Sequence, residues 1–243
     1  MIGGSGLYSL AEVPGYNPKE SRLVETRWGP PSAPVSLGSI GGRPVAFLPR
    51  HGTGHSVAPH RINYRANVEA LRLVGVDRVL AVGAVGGIGA ACVPGAVVVP
   101  DQLIDYTHGR EATFSGPSDA VDHVDFTDPY SPEWRDRVIA ALRGAGGREG
   151  SLVIGGTYGA TQGPRFETAA EVSRLARDGC TVVGMTGMPE AILAREAGLE
   201  YAVACPVGNL AAGINPVELD QDEVTAVARA ALPLIAASIP ALA

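Results

Sequence analysis

Short apolar and β-branched runs alternate along this chain with helix-patterned segments, and most of the runs stop at a glycine or a proline. Strands buried on both faces read as such runs, so the pattern predicts a mostly parallel twisted sheet flanked by helices. Met1-Ile2 opens the series, and Val35–Leu37 and Pro44–Leu48 read as strands about a Gly41-Gly42 turn. Asn63 to Val74 reads as a helix closed by Gly75. Arg78 to Gly83 is predicted to be a buried strand stopping at a Gly86-Gly87 turn, and Ala96 to Val99 is another, ending at Pro100. His108 to Tyr130 is polar and irregular, and a loop of that length inside a compact domain points to function or disorder. Ser131 is expected to cap a helix reaching about Arg143. Strand Ser151–Gly155, helix Thr168–Arg177, strand Thr181–Gly184, helix Pro189–Glu196, strand Tyr201–Val207 and a helix from about Glu218 complete the order. No repeat or linker interrupts it, so residues 1–243 are expected to form a single α/β domain.

Charge narrows the partners. The net charge is −6 and charged residues make up only 18%, which leaves no basic face for a nucleic acid. Small anions stay possible, since a few converging donors hold those. Cys92, Cys180 and Cys205 are scattered, without CxxC or Cys/His spacing, so no metal site is expected and reduced cysteines in a cytoplasmic protein are. The first residues lack the basic and apolar regions of a signal peptide. Apolar runs such as Val79 to Val85 are too short to cross a bilayer, so no membrane association is expected.

Ligands of open α/β sheets gather beyond the carboxyl ends of the strands, so the residues there are the candidates. Gly3-Gly4-Ser5-Gly6 offers backbone N–H groups and the Ser5 hydroxyl to an anion, or is simply a tight turn. Arg50 and His51 follow the second strand of the first hairpin. An Arg-His pair between an apolar strand and two glycines favours phosphate over a solvated basic loop. Small residues from Ala84 to Gly87 would let a ligand touch backbone, Met185 and Thr186 put an apolar side chain beside a hydroxyl, and Asn209 supplies an amide. Phe166 could stack on a base and Glu167 could accept its N–H groups. Taken singly, they read more simply as a core ring and a helix-start carboxylate. Together the strand ends supply the groups that a nucleoside beside phosphate needs.

With GGSGL, RHGTGHSVAPHRINYRAN, AVGAVGGI, TQGPRFET and VVGMTGMPEA in this order, the chain resembles the trimeric nucleoside phosphorylases over nearly its whole length. QLIDYTHGREATF adds a likeness to the S-methyl-5′-thioinosine phosphorylases among them. The resemblance implies the nucleoside phosphorylase fold, partly barrel-like, and phosphate held by Ser5, Arg50, His51, Ala84 and Thr186. It also implies that Met185 lies under the ribose, Phe166 flanks the purine, and Glu167 and Asn209 meet its polar edge. Asn209, Arg50 and His51 would be the catalytic set. His123 would reach a neighbouring subunit's site, so a homotrimer is implied. Inorganic phosphate would be the co-substrate, with no further cofactor. Two features depart from the family. Only two residues precede GGSG, so the chain is expected to start short of the family's first strand. Gly83 stands where relatives carry Thr or Asn beside phosphate.

The expected reaction is phosphorolysis of a purine nucleoside. Glu167 would accept from N1–H of a 6-oxopurine while Asn209 donates to O6 or N7; a 6-aminopurine reverses both polarities, at about 1–3 kcal/mol for each buried mismatch. Leu210, Ala211, Ala212, Ile214 and Val217 form an apolar stretch suited to a 5′-methylthio group, or packed on the protein instead. The resemblance tips the choice, so that S-methyl-5′-thioinosine is the substrate it implies, with inosine or guanosine next and 5′-methylthioadenosine third. A nucleoside-binding sensor without turnover is the non-enzymatic alternative.

Overall fold

The computed structural model describes residues 1–11, 13–116, 123–215 and 220–242. Among the described residues, twelve strands and five α-helices follow one another. The first part holds β1 (Ile2–Gly3), β2 (Tyr16–Arg22), β3 (Val35–Ile40), β4 (Arg43–Pro49), α1 (Tyr64–Leu73), β5 (Arg78–Val82) and β6 (Val85–Gly87). Next come β7 (Val97–Val99), β8 (Gln102–Asp105), α2 (Pro132–Gly144), β9 (Leu152–Ile154) and β10 (Thr157–Ala160). The last part is α3 (Ala169–Arg177), β11 (Cys180–Gly184), α4 (Gly187–Glu196), β12 (Glu200–Leu210) and α5 (Gln221–Leu242).

The sheet runs β2-β3-β4-β1-β5-β12-β6-β11-β10-β8. Most neighbours are parallel, and β12 is its pivot. Glu200 to Ala204 of β12 pair with β5, Val207 to Leu210 pair with β6, and Cys205 and Pro206 between them pair antiparallel with β7, which carries β9. The alternation of side chains along β5 and β12 feeds two cores. Val79, Ala81, Tyr201 and Val203 pack with α1 and α4, whereas Leu80, Val82, Ala202 and Ala204 pack with α2 and α5. Burial on both faces is why these segments read as unbroken apolar runs.

Several expectations shift. The Gly86-Gly87 turn is instead strand β6. A Cβ on Gly87 would collide with the Cys92 carbonyl, so glycine serves close packing there rather than reversal. Ser131 sits at the N-cap of α2 but makes no capping bond; its hydroxyl accepts from the Tyr201 backbone N–H at 2.9 Å. β12 extends past Val207 to Leu210, so Asn209 lies inside a strand rather than after one. The described parts of the polar stretch after His108 contain neither helix nor strand before α2. Against the expectation from apolar runs, residues Asp222–Leu242 of α5 are long and apolar enough, by length and composition alone, to cross a membrane. One face of α5 packs against β12 and α2, with Ala228, Ile235 and Ile239 buried. Of that apolar window, 33% is buried.

Candidate active site

A cavity of about 380 Å³ opens at the carboxyl ends of β1, β4, β5 and β11. Ser5, Arg50, His51, Ala84, Phe166, Glu167, Met185, Thr186 and Asn209, brought from across the chain, all line it. His123 does not; it is exposed.

The cationic part of the cavity is built around Arg50, which is only 1% exposed. Its Nε and Nη2 donate to the two carboxylate oxygens of Glu190 at 2.6 and 2.7 Å, and Nη1 donates to the Val82 carbonyl at 2.9 Å. Three of its five N–H groups are thereby committed, so two remain for a ligand rather than the open fork expected from sequence. Glu190 is fully buried and also accepts from the Tyr201 hydroxyl at 2.8 Å. Burial works against the guanidinium's charge, but the charge and hydrogen bonds of Glu190 outweigh it, and the Arg50 pKa stands above its ordinary value. Sequence reasoning passed over Glu190 as a functional residue. The signal was a carboxylate in the apolar run GMPEAILA, a placement that demands a buried partner.

The backbone around Arg50 leaves no spare room on one side. A Cβ on Gly4 would stand 2.7 Å from Arg50 Nη1 and 2.6 Å from the Val82 carbonyl. On Gly83 it would meet Thr186 Oγ1 at 3.5 Å and Arg50 Nη1 at 3.8 Å, ordinary contacts. Gly4 is therefore required for the approach, whereas Gly83 leaves space between the Thr186 hydroxyl and the guanidinium. Thr186 precedes α4, whose second residue, Met188, departs from helical geometry (φ −120°, ψ 141°), and the Thr186 side chain makes no capping bond.

His51 differs from its expected role as a donor. Its Nδ1 lies 2.9 Å from the Val57 carbonyl, and since a carbonyl only accepts, Nδ1 carries the proton. Burial, and then the Arg50 charge, depress its pKa to about 3. The ring is neutral at physiological pH, and Nε2 offers a lone pair rather than a proton. It stacks on His55, with ring centroids 4.2 Å apart.

Glu167 Oε1 accepts from the Thr161 hydroxyl at 2.5 Å, which leaves Oε2 for a ligand. Asn209 donates one N–H to the Leu210 carbonyl at 2.7 Å and keeps a second. A register shift between Val207 and Asn209 leaves Gly208 without a partner on β6, while Asn209 pairs with Gly86. Phe166 and Met185, both half-buried, also line the cavity. Of the apolar stretch after Asn209, only Ala211 lines the cavity; Ile214 is 44% exposed, and Val217 lies outside the described residues.

A sequence profile described as the phosphorylase superfamily matches residues 1–242. A protein of Xanthomonas campestris named "Probable S-methyl-5′-thioinosine phosphorylase" is 53% identical over 93% of this chain and 86% of its own length. A 6-oxopurine nucleoside phosphorylase of Pyrococcus furiosus is 45% identical over 92% of this chain and 83% of its own. Among solved structures, a methylthioadenosine phosphorylase from Schistosoma mansoni in complex with adenine superposes with a TM-score of 0.91 at 32% identity, covering 99% of this chain and 88% of that one.

Proposed function

This chain belongs to the phosphorylase superfamily, and from that premise we propose that it cleaves 6-oxopurine nucleosides with inorganic phosphate, S-methyl-5′-thioinosine foremost. The observation that carries the reading is one cavity lined by cation and hydroxyl donors together with an aromatic ring, a carboxylate and an amide. Relatives named for S-methyl-5′-thioinosine and for 6-oxopurine nucleosides support the choice of base.

Phosphate is held by the two uncommitted Arg50 N–H groups, the Ser5 and Thr186 hydroxyls and the backbone at Ala84. Neutral His51 accepts a proton-bearing phosphate oxygen through Nε2, which suits the dianion with its single O–H. Glu190 fixes the guanidinium, so little reorganisation is needed when substrate arrives. A phosphate oxygen attacks C1′ as the bond from C1′ to N9 breaks, and the bonding electrons leave with the purine. The spare Asn209 N–H meets the charge that grows at O6 and N7, an interaction stronger in the transition state than in the ground state. Glu167 Oε2 accepts from N1–H, and Met185 packs under the ribose. The products are 5-methylthioribose 1-phosphate and hypoxanthine, the departing purine anion taking up the proton that the phosphate carried.

No metal or organic cofactor takes part. The working form is a cytoplasmic homotrimer serving purine salvage, in which His123 of one subunit approaches the 5′ end of its neighbour's site. Ala211 is what the 5′ pocket reading now rests on. The apolar stretch expected there contributes little else, which leaves inosine and guanosine as the second reading.

The test is phosphate-dependent base release from methylthioinosine, inosine and methylthioadenosine, compared as kcat/KM for the wild type and Asn209→Asp. The two 6-oxopurines should lead for the wild type, and the aspartate should shift preference towards methylthioadenosine by about tenfold or more. Methylthioadenosine leading for the wild type would overturn the base assignment.

A further inference from the structure

One guanidinium ties together the two walls of the cavity without being in it. Arg110 lies in the polar stretch after β8. Its Nη1 donates to the carbonyls of Met185 at 2.8 Å and Met188 at 2.6 Å. Its Nη2 donates to the carbonyls of Gln162 at 2.7 Å and Thr161 at 3.3 Å, and Nε donates to Gln162 Oε1 at 3.2 Å. Nη1 also reaches the Tyr64 hydroxyl at 3.3 Å, and no ion pair to a carboxylate forms among the described residues. Every acceptor is thus neutral, and four of them are backbone carbonyls of the two segments that carry the site.

Those segments have different duties. Thr161 and Gln162 lead into Glu167 and Phe166, and the Thr161 hydroxyl itself holds Glu167. Met185 and Met188 bracket Thr186 at the start of α4. The loop is pinned at further points: the His108 N–H donates to Gln162 Oε1 at 3.1 Å, and the Phe114 N–H donates to Glu196 Oε2 at 2.7 Å. A planar fork that bonds carbonyls on both walls fixes their separation and angle, which an ammonium with tetrahedral donors cannot do.

We propose that Arg110 is a positioning residue: it sets the distance between the wall that binds the base and the wall that binds ribose and phosphate. The proposal rests on the purine nucleoside reading of the cavity. It predicts that a misplaced wall is felt in substrate alignment, where an error of about 1 Å costs about 100-fold.

Arg110→Ala and Arg110→Lys are compared with the wild type in kcat and KM for the nucleoside, in hypoxanthine binding by calorimetry with phosphate present, and in melting temperature. Both variants should lose about 100-fold in kcat/KM. Guanidinium ion at low, non-denaturing concentration should restore Arg110→Ala about tenfold or more and leave Arg110→Lys unchanged. Retention of wild-type kcat/KM and hypoxanthine affinity by either variant would overturn the proposal. So would a loss that follows the melting temperature and is not rescued. If the wild type binds hypoxanthine but releases no base from any nucleoside, the proposed function fails alone, and Arg110 is still judged by rescue of hypoxanthine binding. A wild type that binds no purine overturns both.

Discussion

His51 shows how far a residue's type can mislead about its role. A histidine beside an arginine reads as a second phosphate donor, yet its Nδ1–H is donated to the Val57 carbonyl and burial beside Arg50 keeps the ring neutral. The consequence for stability has a definite sign. The folded pKa, about 3, lies below the ordinary value of 6.5, so the unfolded chain binds the extra proton first. The contribution is fully present above about pH 6.5 and is lost as pH falls towards 3. His55, also lowered by burial, adds to the slope. Asn at position 51 would keep a donor for Val57 and remove the titration. The wild type should therefore lose more melting temperature than His51→Asn between about pH 7.5 and 5, and equal losses would sink the assignment. At this scale the strand-end residues were legible because ligand-facing chemistry sits after apolar runs. Glu190 and Thr161 were not, since each acts through another side chain and only the folded contact shows it.

The elements that sequence pattern missed are exposed, short or rich in glycine. β2, YNPKESR, is an exposed edge with a proline in it; β8 and β10 have four residues each; and β6 hides behind two packing glycines. Long buried strands such as β5 and β12 were read because both faces meet a core. The pivot of β12 was not read, because a register shift leaves no mark on composition. Gly208 makes that shift possible. A Cβ there would stand 2.6 Å from the Val224 carbonyl at the start of α5, so Gly208→Ala must either push α5 away or flatten the bulge. Overpacking of this kind costs about 1–3 kcal/mol. Flattening would also turn the Asn209 side chain towards the opposite face, away from the cavity. The expected result is a lowered unfolding midpoint in denaturant together with a loss of base release beyond the loss of folded protein. Full specific activity in the folded fraction would show that the bulge does not aim Asn209.

The cavity draws on residues from Gly4 to Val224, so nearly the whole chain must fold before it exists, and every proposed site residue but His123 is in place within one subunit. An exposed His123 in a chain whose site is otherwise complete has a role in the proposed reaction only if another copy brings it to the cavity. Closed cyclic assembly makes that geometry testable, because each site then pairs the pocket of one subunit with the His123 of the next. Asn209→Ala disables the pocket and leaves His123, while His123→Ala keeps the pocket and removes the donated side chain. Dissociated and reassembled together in equal amounts, the two inactive or weakened chains should give mixed assemblies in which roughly a quarter of the sites combine an intact pocket with an intact His123. Activity should then exceed the sum of the separate preparations, in proportion to that fraction. Strict additivity after verified subunit exchange would mean that His123 serves its own chain or none, and the case for a shared site would fall with it.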